Sequence, residues 1–138
     1  MTDESPQTGA LSLETYPVHL GLGARAEAQP AFTGMEWYAD YAARTEADGA
    51  EGRLVSMYEF TESWTSWEMH PAGDELVVCL TGTITLHQEL ADGDKRTVTI
   101  SAGQYAINPP GAWHTADISA PASALFVTAG MGTENRPR

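Results

Sequence analysis

Short runs of alternating apolar and polar residues dominate the chain from residue 52 onward. The segments GRLVSMYEF, SWTSWEMH, DELVVCL, TITLHQEL, KRTVTI, QYAIN, WHTADI and ALFVTAG are rich in β-branched and aromatic residues and are separated by turn residues. That is the signature of half-buried strands. The Asp-Gly pair inside LADGDKR, residues 90–96, marks a hairpin, and NPPG at 108–111 marks a tight turn. Strands at this spacing predict an antiparallel all-β domain, either a closed barrel or a jelly-roll sandwich, since both hide strand edges.

The first part of the chain reads differently. GMEWYADYAARTEADG, residues 34–49, places Met35, Tyr38 and Ala42 on one helical face and Trp37 and Tyr41 on the adjoining one. With Asp48-Gly49 as a stop, it predicts one short helix over about 34–47. HLGLGARA at 19–26 has a glycine pair, but no strand and helix frame it and Ala26 stands at the third glycine position of a dinucleotide loop, so it is given no phosphate-binding role. Residues 1–12 and 131–138 are polar and contain Pro and Gly, and are expected to be loosely ordered tails around a single domain over 13–130.

Size and charge narrow the function. A chain of 138 residues supports one core. Seven basic against nineteen acidic residues give a net charge of −12, a field that repels nucleic acid and anionic membranes. Arg53, Lys95 and Arg96 are the basic residues available to reverse that field near an anionic substrate. The N-terminal residues lack the pattern of a secretory signal and no apolar run reaches membrane-span length, so the protein is expected in the cytoplasm. Cys79 is the single cysteine; its setting in LVVCL predicts a packed strand residue with no disulfide.

Candidate chemistry gathers in WEMHPAGDELVVCLTG, residues 67–82. Alternation along SWTSWEMH puts Trp64, Ser66, Glu68 and His70 on one side of a strand and Trp67 and Met69 on the other. After the turn at Pro71-Ala72-Gly73 the chain returns with Glu75, and GQYAINPPGAWH delivers His114 from a strand distant in sequence. Glu68, His70, Glu75 and His114 are therefore expected to converge on one divalent ion, with Trp64 and Ser66 lining a pocket beside them. Trp67, Met69 and Trp113 are expected to face away. His87 reads as a solvated edge residue and His19 has no partner at metal-ligand spacing. Asp74 adjoins Glu75 as a rival carboxylate, and Tyr105 and Asn108 are assigned structural roles beside the turn.

These residues resemble the two motifs of the cupins. The first motif runs Gly, five residues, His-x-His, three or four residues, Glu, six residues, Gly; His70, Glu75 and Gly82 match its second half. The second runs Gly, five residues, Pro-x-Gly, two residues, His, three residues, Asn; Gly103, Pro109, Gly111 and His114 match it through the histidine. Glu68 stands in place of the first histidine, Glu62 in place of the opening glycine and Ile118 in place of the closing asparagine. The resemblance implies a small single-domain cupin, commonly a homodimer, with a metal held by His70, Glu75 and His114. Glu68 as a further ligand or as a catalytic acid–base group is inferred from its own position. Two carboxylates would neutralise a divalent ion and favour hard, oxygen-preferring metals such as manganese or ferrous iron over copper, within a choice of iron, manganese, zinc or nickel. The expected activity is a dioxygenase, isomerase or lyase reaction on a small oxygenated molecule. The alternative is a non-catalytic small-molecule binding or sensing cupin with a structural metal or none.

Overall fold

The computed structural model describes residues 9–138, and the first eight residues of the expected N-terminal tail lie outside it. Each strand-like run of the sequence forms one strand: β3 (Arg53–Phe60), β4 (Ser66–Met69), β5 (Glu75–Thr81), β6 (Thr83–Glu89), β7 (Lys95–Ser101), β8 (Tyr105–Asn108), β9 (Trp113–Asp117) and β10 (Ala122–Thr128). Three further strands carry no such signal. HLGLGARA is a hairpin of β1 (Val18–Gly21) and β2 (Arg25–Ala28), turned by Gly23 and Ala24 at positive φ. The expected C-terminal tail forms β11 (Glu134–Pro137), which pairs with β4. Helix α1 (Glu36–Arg44) is shorter than predicted and passes into a 3-10 turn over Glu46–Glu51, broken where Gly49 takes a positive φ. It buries Trp37, whose indole N–H donates to the Pro30 carbonyl, while Met35 on the other predicted face is 77% exposed.

The strands form two antiparallel sheets, ordered β2-β1-β3-β10-β5-β8 and β11-β4-β9-β6-β7. The sheets do not close into a barrel. Their edges are protected by other means: β8 and β11 are four residues long, β11 includes Pro137, and β2 is exposed and carries Arg25 and Glu27. One core lies between the sheets, with Val77, Cys79 and Phe126 from the first meeting Ile84, Leu86 and Ile100 from the second. Each fully buried aliphatic side chain of this kind contributes about 1.5–3 kcal/mol. Along β3 it is Leu54 and Ser56 that turn fully inward, with Tyr58 and Phe60 packing against the core beyond them.

Candidate metal centre

Two cross-strand triplets face each other at one end of the core. In the six-stranded sheet, Glu75 lies opposite Asn108 on one neighbour and Thr128 on the other. In the five-stranded sheet, His114 lies opposite Glu68 and Gln88. Opposed residues of antiparallel strands project from the same face, so both triplets point into the same space. His70 joins from the corner between β4 and β5.

The distances are those of one cluster. His114 Nε2 is 3.1 Å from Glu75 Oε1, and His70 Nε2 is 3.2 Å from Glu75 Oε2 and 3.6 Å from Glu68 Oε2. Glu68, His70 and His114 each offer a donor atom within 4.8 Å of the others. Glu75 is fixed by the Asn108 amide, which donates to Oε1 at 3.0 Å, and by the Thr128 hydroxyl, which donates to Oε2 at 2.6 Å. Gln88 in turn donates to Asn108 Oδ1 at 2.7 Å. The Glu75 side chain is 4% exposed and that of Glu68 is 36% exposed, so the two carboxylates are unequal: one is locked in the interior, the other reaches the open side.

The histidine tautomers follow from their outer nitrogens. His114 Nδ1 lies 3.2 Å from the Ala112 carbonyl, which can only accept. His70 Nδ1 lies 2.8 Å from Thr133 Oγ1, whose own proton goes to the Gly130 carbonyl. Both rings therefore carry a proton on Nδ1 and turn Nε2 inward. Both Nε2 atoms are buried and without a hydrogen-bond partner; they stand close to Glu75 but out of line with its oxygens. Two imidazole nitrogens and two carboxylates thus converge with no donor among them. A divalent cation satisfies that set, and nitrogen with carboxylate oxygen is a donor combination suited to manganese, iron or zinc. The outer contacts from Thr133, Ala112, Asn108 and Thr128 are of the kind that orient metal ligands.

Electrostatics in the cluster are set by burial and by its members. Burial raises the Glu68 carboxyl, and the Glu75 charge raises it further against the opposing pull of the histidines. Burial would also raise Glu75, but His114 and His70 outweigh it and hold that carboxyl well below its ordinary range. Burial lowers His114, and the nearness of Glu75 more than restores it, so the net direction is upward.

The other predicted residues fall as follows. Trp64 packs edge-on to His114, ring centres 6.2 Å apart, and its buried indole N–H has no acceptor. Ser66 takes part through its backbone, its carbonyl accepting from the Thr115 hydroxyl at 2.9 Å. Trp67 and Trp113 lie outside the cluster, each against the Arg136 guanidinium. His87 is half-buried and pairs with Asp117 at 2.6 Å. His19 is buried rather than idle, bonded to Tyr41 and Asp48. Asp74 lines a surface cleft of about 530 Å³ that none of the four cluster residues lines. Sequence reading did not find Thr128, Gln88 or Thr133, and it gave Asn108 only a structural role beside the turn. No motif letter marks them; strand register brings Thr128, Gln88 and Asn108 to the cluster, and the turn before β11 brings Thr133.

The motif glycines have a structural cause. Gly82 has φ of 74°, and a Cβ there would stand 2.6 Å from the Pro121 carbonyl oxygen. Gly103 and Gly111 also have positive φ, at the turns before β8 and β9. Ile118, in place of the closing asparagine, is buried in the core.

No family model and no curated protein matches the chain. Solved structures do. An oxalate oxidase aligns with a TM-score of 0.54 and 14% identity over 67% of this chain and 50% of its own. Oxalate decarboxylase from Lactobacillus farciminis, in a formate complex, aligns with a TM-score of 0.54 and 15% identity over 70% of this chain and 29% of its own. Bacillus subtilis oxalate decarboxylase, a protein with Mn(II) centres, gives 0.52 and 15% over 70% and 26%. These are cupin-fold proteins. The chain has a cupin-like all-β fold. It spans half or less of the length of these neighbours. Among the described residues no helix is long and apolar enough to cross a membrane.

Proposed function

We propose that the protein is a divalent-metal-dependent enzyme of jelly-roll cupin type, acting on a small oxygenated organic molecule by a dioxygenase, isomerase or lyase reaction. The observation that carries this reading is the pair of buried, unpartnered Nε2 atoms facing two carboxylates. His70, His114 and Glu75 would hold the ion, with Glu68 completing the set from the open side. Manganese and ferrous iron suit two nitrogens and two carboxylates best, and Mn(II) is the metal of one structural neighbour. When bound, such an ion supplies Lewis acidity toward a substrate oxygen and, for either of these metals, redox capacity.

The chain's own residues do the rest. Glu75, gripped by Asn108 and Thr128, keeps one negative charge at a fixed point. Glu68, the more exposed carboxylate, is placed to carry a proton between substrate and solvent. The Trp64 indole packs against His114, and Phe60 and Phe126, packed beside Trp64, make that side of the cluster apolar. A cytoplasmic homodimer is the setting we expect.

Elemental analysis of protein purified without an affinity metal, beside His70→Ala, His114→Ala and Glu68→Ala, tests the reading. Near-stoichiometric manganese or iron in wild type, lost in both histidine variants, is expected. Glu68→Ala should retain metal at reduced occupancy. Wild type that arrives metal-free and cannot be loaded with manganese, iron, zinc or nickel would sink the proposal and favour a ligand-binding cupin. Copper as the sole metal would overturn the choice of hard ions.

A further inference from the structure

Residues 131–138 read in sequence as a loosely ordered tail, yet β11 within them is paired with the strand that carries Glu68. Strand β11 pairs with β4 in a register that sets Asn135 opposite Glu68 and Glu134 opposite Met69. Arg136 lies between two indoles, its guanidinium carbon 5.2 Å from the Trp67 ring centre and 4.5 Å from that of Trp113, and it pairs with Glu89. Arg138 donates to the carbonyls of Trp64 and Ala116 and to Asp117. Trp67 belongs to the strand that carries Glu68, and Trp113 immediately precedes His114. The anchors of β11 therefore stand behind two of the cluster residues, Glu68 and His114.

The turn before β11 reaches a third, His70. Thr133 N–H and hydroxyl both donate to the Gly130 carbonyl, at 3.2 and 2.8 Å, which fixes the hydroxyl oxygen as an acceptor for His70 Nδ1. Gly132, with φ of 79°, is seated on Pro71: a Cβ there would lie 3.1 Å from Pro71 Cγ. Pro71 follows His70 directly, so the turn presses on the corner that carries the histidine.

We propose that Gly130–Arg138 is a positioning element for the metal centre, in which Thr133 holds His70 as the Nδ1–H tautomer with Nε2 turned to the ion. It rests on the metal-centre reading for its consequence, while the tautomer itself is a property of the metal-free protein. Thr133 is a positioning residue: it touches the histidine and none of the other donors.

The test uses full-length Thr133→Val, which keeps shape and removes the acceptor, with Thr133→Ser as the conservative control. Nitrogen-15 NMR of the histidine rings in metal-free protein should show His70 as the Nδ1–H tautomer in wild type and Thr133→Ser, and a tautomer mixture in Thr133→Val. Titration with Mn²⁺ should show affinity about 10-fold weaker for Thr133→Val and within about twofold of wild type for Thr133→Ser. Should Thr133→Val fail to fold by circular dichroism, Arg136→Ala, which unfastens β11 from the indoles, carries the same expectation of weakened Mn²⁺ binding. A Thr133→Val protein with wild-type tautomer and wild-type affinity overturns the inference. Wild type that binds no Mn²⁺, iron, zinc or nickel overturns the metal reading instead, and the tautomer comparison still decides whether Thr133 orients His70.

Discussion

Glu68 and Glu75 have the same chemistry and opposite situations. Glu75 is buried between two sheets, and burial alone would push its carboxyl toward neutrality; what holds it ionised is the pair of histidines, with donors on both oxygens. Glu68 has no such donors, is more exposed, and has its carboxyl raised by burial and by its neighbour. A glutamate at this position thus places a carboxyl of adjustable charge beside the cluster, while the rigid charge stays with Glu75. Rigidity at Glu75 depends on Asn108, whose amide bridges Glu75 and Gln88. In Asn108→Ala the donor to Oε1 is lost and the buried Gln88 amide keeps only the Ile107 carbonyl. Leaving a buried carboxylate oxygen unpaired costs about 1–3 kcal/mol. Urea unfolding in chelator is expected to show a loss of that size, and metal affinity is expected to fall about 10- to 100-fold. An unchanged affinity would mean that Glu75 is held by Thr128 alone.

At the scale of elements, legibility followed hydrophobic pattern. Strands β3 to β10 carry alternating apolar residues because one face of each meets the core, and the motif residues His70, Glu75 and His114 ride on three of those strands or their corners. Strands β1, β2 and β11 carry little alternation because charge and hydrogen bonding hold them instead. Arg136 and Arg138 clamp β11, and Asp48 clamps the β1–β2 hairpin through His19, Arg25 and the Leu22 amide. Such contacts join residues more than twenty positions apart and leave no local periodicity, and the same holds for Thr128, which reaches Glu75 from 53 residues away. The Asp48 clamp has a pH signature. His19 donates to Asp48 from Nε2 and accepts at Nδ1 from the Tyr41 hydroxyl, which burial pushes up to about 12. The His19 and Arg25 contacts bring the Asp48 carboxyl down to about 2. A depressed carboxylate stabilises the fold fully above its unfolded value near pH 4 and loses that contribution as pH falls toward 2. Asp48→Asn is therefore expected to be less stable than wild type at pH 6, with the difference shrinking between pH 4 and pH 2. Chemical denaturation across that range checks it; a difference independent of pH would assign the effect of Asp48 to packing.

For the whole molecule, the cluster sits where the two sheets meet, so its occupancy bears on folding as well as on chemistry. Without a cation, two carboxylates and two inward-facing imidazole nitrogens crowd one buried point, in a protein whose net charge is already −12. Bringing them together on folding is unfavourable unless something positive is shared between the sheets. Glu75 belongs to the six-stranded sheet and His114 to the five-stranded one, so an ion held by both would cross-link the sandwich. An unfolded chain offers no such convergence, and a metal bound by the cluster would therefore stabilise the native state by mass action. At a hundred times the dissociation constant the gain is about 2.7 kcal/mol, which for a domain of this size raises the melting temperature by ~10 °C. Scanning calorimetry in excess Mn²⁺ against chelator is expected to show that rise in wild type and its absence in His114→Ala. In chelator, His114→Ala should be less stable than wild type, because it removes both the packing of a buried ring and one of the two histidines that hold Glu75 ionised. Equal melting temperatures for wild type with metal and with chelator would show that protons alone satisfy the cluster, and the cross-link between the sheets would then be an imidazolium–carboxylate pair rather than an ion.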